Sequence, residues 1–269
     1  MKDKTKSYDV TDLPYISNPA LVVKASYSAF RIMVIEFLKL FWISIGVYLI
    51  ALIPAIVGAI SIHDHQASLS ALGLIALSIF LILVPAIYFN YALIKLTLAA
   101  ARGVSMPWKK SLPPNLPVAI KVLTTLFLAG IIVFAGLLFF IIPGIFFALW
   151  FSQVQFVAVD EDIYGFEALT RSKQLVKNRL MDMTGIYGLG QVIQAMADIK
   201  FFGPLLSIVY TVITLPMNAI RFVQLTQLSE TDRKDLPTNA WNYIFFWLGL
   251  LTTLILTGIS IYISIPIKH

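Results

Sequence analysis

Three consecutive carboxylates, Asp160-Glu161-Asp162, follow an apolar run and offer the clustered oxygens that a hard divalent cation prefers. Helix-end chemistry is the ordinary alternative and the expected one, with Asp162 and Glu167 complementing the positive N-terminus of the next helix. His63-Asp64-His65 offers two imidazoles, but two residues apart they do not share a metal on a helix, and no third ligand stands nearby, so a solvated loop is expected. Glu36 and Lys39 are spaced for a helix-surface ion pair. Arg221, five residues after Pro216, can meet a lipid phosphate or simply snorkel from a helix end. Ser172 falls on an apolar helix face with no base beside it, which removes it as a nucleophile. There is no Walker loop or dinucleotide fingerprint. The sequence therefore predicts no catalytic residue, no cofactor and no metal.

The most patterned surface is the segment 166–180. Phe166, Leu169, Ser172, Val176 and Leu180 recur at helical spacing, while Arg171, Lys173, Lys177 and Arg179 lie around the other sides, with Glu167 in the first turn and Leu175 in the last. Such a helix can lie on an anionic leaflet, each near-surface cation adding about 1 kcal/mol. It can equally be a loop helix that sets topology. Both readings stand on sequence alone.

These groups must be carried by a membrane-embedded scaffold. The 269 residues are 59% apolar and 13% charged, and the mean hydropathy is +0.85, well outside soluble averages. Cysteine is absent, which excludes disulfides and thiolate chemistry. The net charge of +6 does not imply nucleic acid, because the cations sit in loops between apolar runs and no aromatic-basic platform accompanies them. The fold class expected is all-α: a polytopic transmembrane helix bundle, since lipid requires every spanning backbone group to be satisfied internally.

Residues 1–36 read as a cytoplasmic arm with an interfacial helix opened by Pro19, or as an extension of the first span; residues 37–269 read as one transmembrane domain. No apolar region begins before about residue 32, so no removable signal peptide is expected. Spans are predicted over 37–61, 69–96, 118–142 and 145–159, the last two joined by a Pro143-Gly144 turn. Ala51, Ala55 and Ala59 recur every four residues, a small face suited to close helix packing. A glycine-rich segment, 182–199, is too polar to sit in lipid alone; it either spans among other helices or lies in the interface, which makes seven spans or six. Two more spans follow over 201–226 and 241–266. With the N-terminus cytoplasmic, every Lys and Arg except Lys200 and Lys268 falls inside.

From Pro143 to Arg179 the order of features resembles a known family. A Pro-Gly turn, a span closing on Val157-Ala158-Val159, an acidic residue and then EALTRSKQLVKNR is similar to the bacterial membrane domain fused ahead of the catalytic barrel in some glycerophosphodiester phosphodiesterases, which also occurs alone. Glu167-Ala168-Leu169, Ser172 and Leu175 fall on its "ALxxSxxL" pattern, and Leu215-Pro216 through Glu230 match its later proline-anchored span. Asn178 stands where the family often has Gly. The resemblance covers about residues 19–232 and implies a fold and a bacterial cytoplasmic (inner) membrane setting. With no barrel after His269, it implies no activity.

Three functions are consistent with these readings. The first is a non-enzymatic membrane scaffold whose partners are the bilayer, anionic lipid head groups, an unknown protein or a second copy of the chain, and not nucleic acid. The second is a transporter or channel for a small or amphiphilic solute. The third, and weakest, is an enzyme acting on glycerophospholipid head groups.

Overall fold

The computed structural model describes residues 15–63, 69–197, 203–228 and 230–264. Asp64 and His65 lie outside them, as do Lys2, Lys4, Lys6, Lys200 and Lys268. Eleven helices and no strand occur among the described residues: α1 Pro19–His63, α2 Leu69–Ala101, α3 Trp108–Ser111, α4 Leu116–Phe139, α5 Ile141–Trp150, α6 Val154–Asp160, α7 Gly165–Val176, α8 Leu180–Ala197, α9 Gly203–Gln227, α10 Glu230–Asp235 and α11 Ala240–Ser264. Four runs are long and apolar enough to cross a membrane: Pro19–Ile62, Ser70–Ala101, Leu116–Phe139 and Ile142–Asp160. Only 11, 6 and 17% of the apolar windows of the first three are buried inside the protein, against 44% of the fourth. Such wide apolar surfaces need lipid to cover them, so the first three runs are the lipid-facing ones and the fourth is half enclosed.

Asparagine sets three helix starts. Asn18 accepts the Ala20 amide at 2.9 Å and precedes Pro19, whose missing N–H costs nothing in a first turn. Asn115 accepts from Val118 at 3.0 Å, and Asn239 from Trp241 at 2.9 Å. From Asn18, α1 continues unbroken for 45 residues, so the boundary expected at residue 36 falls inside one helix. Its first half buries Val22, Ser26, Ala29 and Met33, a stripe at helical spacing that joins the core shared with α9.

The second half of α1 pairs antiparallel with α2. Leu40 meets Ala92 and Leu96, and Gly58 lies so close that an added Cβ would stand 2.9 Å from the Ala71 carbonyl oxygen. The small face turned to α2 is thus Ala51, the half-buried Ala55 and Gly58; Ala59, one step further round, is exposed. Three- and four-residue steps alternate along a helix face, which a strict four-residue count misses.

The chain reverses between α4 and α5 at Phe140, whose extended backbone (φ −154°, ψ 125°) caps both helices. Pro143 and Gly144, expected at the turn itself, belong to the first turn of α5. Proline is harmless there, and Gly144 allows close approach, because a Cβ would stand 2.6 Å from the Leu137 amide nitrogen. α8 and α11 cross more closely still, with Gly188 against the Phe245 carbonyl and against Gly249. The glycine-rich segment is therefore one helix packed among others. Residues 219–225 of α9 are buried on every side, which places this helix at the centre of the bundle.

Candidate functional site

The acidic triplet diverges onto three different partners. Asp160 takes a bidentate pair from Arg102 at the end of α2 (2.7 and 2.6 Å), and that carboxylate holds Arg102 above its ordinary pKa. Glu161 takes a second bidentate pair from Arg171 (2.8 and 3.2 Å). Asp162 sits in the left-handed region (φ 54°) and accepts the Tyr164 hydroxyl at 3.0 Å. No group of three or more acidic or histidine side chains is close enough to share a metal among the described residues. Nor does Asp162 cap α7. The amide of Gly165 is met instead by the Thr125 hydroxyl at 2.8 Å.

α7 turns its apolar face to the protein. Ala168, Leu169, Ser172, Leu175 and Val176 are buried, whereas Phe166 is 70% exposed, outside the stripe in which the sequence placed it. Its basic residues divide. Arg171 is held by Glu161, Lys173 lies 4.4 Å from the centre of the Trp150 ring, Lys177 is exposed, and Arg179 is buried. Glu167 is exposed in the first turn. The face that a peripheral helix would insert into lipid is already occupied by the bundle.

Ser172 closes a break in the fourth apolar run. Between α5 and α6 residues 151–153 leave the helical path; the Ser172 hydroxyl donates to the Trp150 carbonyl (2.7 Å) and accepts from the Gln153 amide (3.2 Å). Backbone groups freed inside a membrane must be re-satisfied by neighbouring side chains, and this serine does so. The sequence put Ser172 on the apolar face without giving it that task.

Beside the Arg102–Asp160 pair lies a cleft of about 590 Å3 between the end of α2, the loop 102–117 and the end of α6. Leu98, Met106 and Leu112 form apolar walls; Lys95, Lys110 and Asp162 also line it, and among the described residues neither lysine forms an ion pair. Lys95 stands 5.7 Å from the centre of the Tyr91 ring. The loop is pinned in place by Glu36, which pairs with Lys39 at 2.5 Å and also accepts the Trp108 amide at 3.0 Å. Sequence spacing showed the Glu36–Lys39 pair but not the cleft, whose walls come from residues as far apart as 91 and 162.

A second polar cluster is largely internal, with Tyr15 half-buried at its edge. Arg179 and Asp182 pair at 2.5 Å with side chains 1% and 0% exposed. Tyr15 donates to Asp182, as does Asn242 at 2.7 Å, and Arg179 reaches the carbonyls of Leu236 and Pro237. Arg221, with no exposed surface, donates to the Ile16 carbonyl at 2.7 Å and lies 4.8 Å from the centre of the Tyr15 ring. It neither snorkels nor reaches the surface. Burial pushes the Tyr15 phenol up to about 12, opposed by the Arg221 charge and reinforced by Asp182. The cluster binds the segment before α1 to α8, α9 and α11.

Comparison with known proteins finds no matching family model, no similar curated protein and no similar solved structure.

Proposed function

We propose that this chain is a multi-pass protein of a bacterial cytoplasmic membrane, with six or seven spans and its N-terminus inside, that works without chemistry of its own by holding anionic lipid head groups. The observation that carries the reading is the cleft: two lysines that form no ion pair among the described residues, above apolar walls, beside a helix end at the edge of an apolar run. An anionic head group answers the lysines, and its first methylenes answer Leu98, Met106 and Leu112. The one-sided distribution of Lys and Arg supports the orientation. The resemblance of residues 143–179 to the membrane domain of some phosphodiesterases supports a role in organising lipid or a neighbouring protein.

The test is lipid binding by the purified chain in nanodiscs of phosphatidylglycerol or phosphatidylcholine. Two lysines at about 1 kcal/mol each give the anionic lipid a preference of roughly thirtyfold at low salt, and Lys95→Ala with Lys110→Ala should abolish it. No head-group preference in the unaltered chain would overturn the reading. A transporter for an uncharged or amphiphilic solute is the second reading. It is favoured by a different observation, the break at residues 151–153 inside an apolar run.

A further inference from the structure

The break in the fourth run borders a site that the basic cleft does not use. Residues 151–153 lie near the middle of Ile142–Asp160, and a cavity of about 490 Å3 opens beside them between α4, the α5–α6 junction and α8. Its walls are largely hydrocarbon, from Leu126, Val133, Leu137, Ala148 and Phe151, with Phe134 62% exposed at the rim. Because α4 is among the lipid-facing runs, the cavity opens sideways to the bilayer.

Its polar lining is small and uncharged: Ser152, Gln155 and Tyr187. The Ser152 hydroxyl is already engaged, accepting from the Gln153 side chain at 3.4 Å and contacting the Met183 sulfur at 3.7 Å. The half-buried Gln155 carboxamide makes no hydrogen bond among the described residues. It stands in the first turn of α6, two residues past the break and about 6 Å along the axis from the middle of the run. A carboxamide at that depth, facing a hydrocarbon-walled space, is costly unless something hydrogen-bonds to it. No Asp, Glu, Lys, Arg or His lines the cavity, so a charged group entering it would find no counter-ion.

Room for a chain adjoins this polar spot. A second cavity of about 420 Å3 shares Leu137, Ala148 and Tyr187 with the first and continues past Ile145 to Phe246 and Leu250. The geometry around the break is preformed rather than collapsible, because Ser172 fixes both of its ends.

We propose that this cavity binds an uncharged amphiphile taken from the bilayer: a molecule with an alcohol, ester or amide group that meets Gln155, and a hydrocarbon chain lying along α4 and α5. The site is independent of the anionic head-group cleft.

The test uses the full chain in phosphatidylcholine nanodiscs with a monoacylglycerol carrying a diazirine on its acyl chain, photolysed and mapped by peptide mass spectrometry. Label should concentrate on residues 126–137 and 148–155, and unlabelled monoacylglycerol should remove it while hexadecane or ionised palmitate should not. Gln155→Leu loses one hydrogen bond and should lower labelling about tenfold. Gly130→Leu should block the site; it lines the cavity, and a Cβ there meets nothing within 4 Å, so the helix accepts it. Melting temperatures of both variants verify folding, and Lys95→Ala with Lys110→Ala should leave labelling unchanged. Label spread evenly over the lipid-facing helices would mean ordinary acyl filling and overturn the proposal. So would equal competition by palmitate, labelling indifferent to both cavity variants, or cross-links between two chains across α4.

Discussion

Asp182→Asn removes one charge from the internal cluster while keeping the shape of the side chain. Among the described residues Asp182 is the only carboxylate paired with Arg179, and the two side chains are 0% and 1% exposed. Truncating one partner of a buried pair costs about 3–5 kcal/mol, because the other charge remains desolvated. The Leu236 and Pro237 carbonyls would still accept from Arg179, which places the expected loss near the lower end, about 3 kcal/mol. The new amide would also present N–H groups where Tyr15 and Asn242 now donate. Reversible unfolding in mild detergent, followed by tryptophan fluorescence, measures the loss. Arg179→Met with Asp182→Leu removes both charges and should recover part of the stability, leaving the unanswered Tyr15 and Asn242 donors at about 1–3 kcal/mol. Limited proteolysis adds a local readout: cleavage before α1 should quicken, since Ile16 and Ser17 are held through Arg221 and Asn242. If Asp182→Asn lies within about 1 kcal/mol of the unaltered protein, the cluster is not desolvated and the reasoning fails.

Ser172→Ala leaves the Trp150 carbonyl and Gln153 amide unanswered inside an apolar run and should cost about 2–3 kcal/mol by the same unfolding assay, while Ser172→Thr should cost less. Gly188→Ala would place a Cβ 2.1 Å from the Phe245 carbonyl oxygen, so α8 and α11 must separate; a loss of about 3 kcal/mol and weaker protection of the α11 amides in hydrogen exchange are expected. Tyr15 has its folded pKa raised from 10 to about 12, so its contribution is fully present below pH 10 and lost as pH rises towards 12. Two units correspond to roughly 2–3 kcal/mol, and Tyr15→Phe should remove that part of the alkaline slope seen in the unaltered protein.

The helix order was legible because its signal is local. Long apolar runs bounded by proline and basic loops place α2, α4, α9 and α11 within about five residues, whereas α1 runs on from Pro19 through the boundary expected at residue 36, and the capping by Asn18, Asn115 and Asn239 is visible only in the structure. What sequence pattern misjudged was facing. Phe166 shares the helical spacing of the apolar stripe, yet it is 70% exposed and Ala168 takes the inner position. Arg179 reads as a surface cation because its neighbours are Lys173 and Lys177. Its burial depends on Tyr15 and Leu236, which are 164 and 57 residues away and which no local period can signal. The Lys95–Lys110 cleft and the cavity at Gln155 are assembled in the same non-local way.

The all-round enclosure of residues 219–225 in α9 bears on how the protein is made. A helix carrying the fully buried Arg221, six residues from its C-terminal end, is poorly suited to being handed singly to lipid, since an arginine within a span opposes insertion, by up to about 2.5–3.5 kcal/mol at a helix centre. α1, α2 and α8, which enclose it, leave the ribosome first, and the Ile16 carbonyl that receives Arg221 is older by 205 residues. The earliest segments therefore form the surroundings into which α9 must pack. The centre of the finished bundle is among the last parts to arrive.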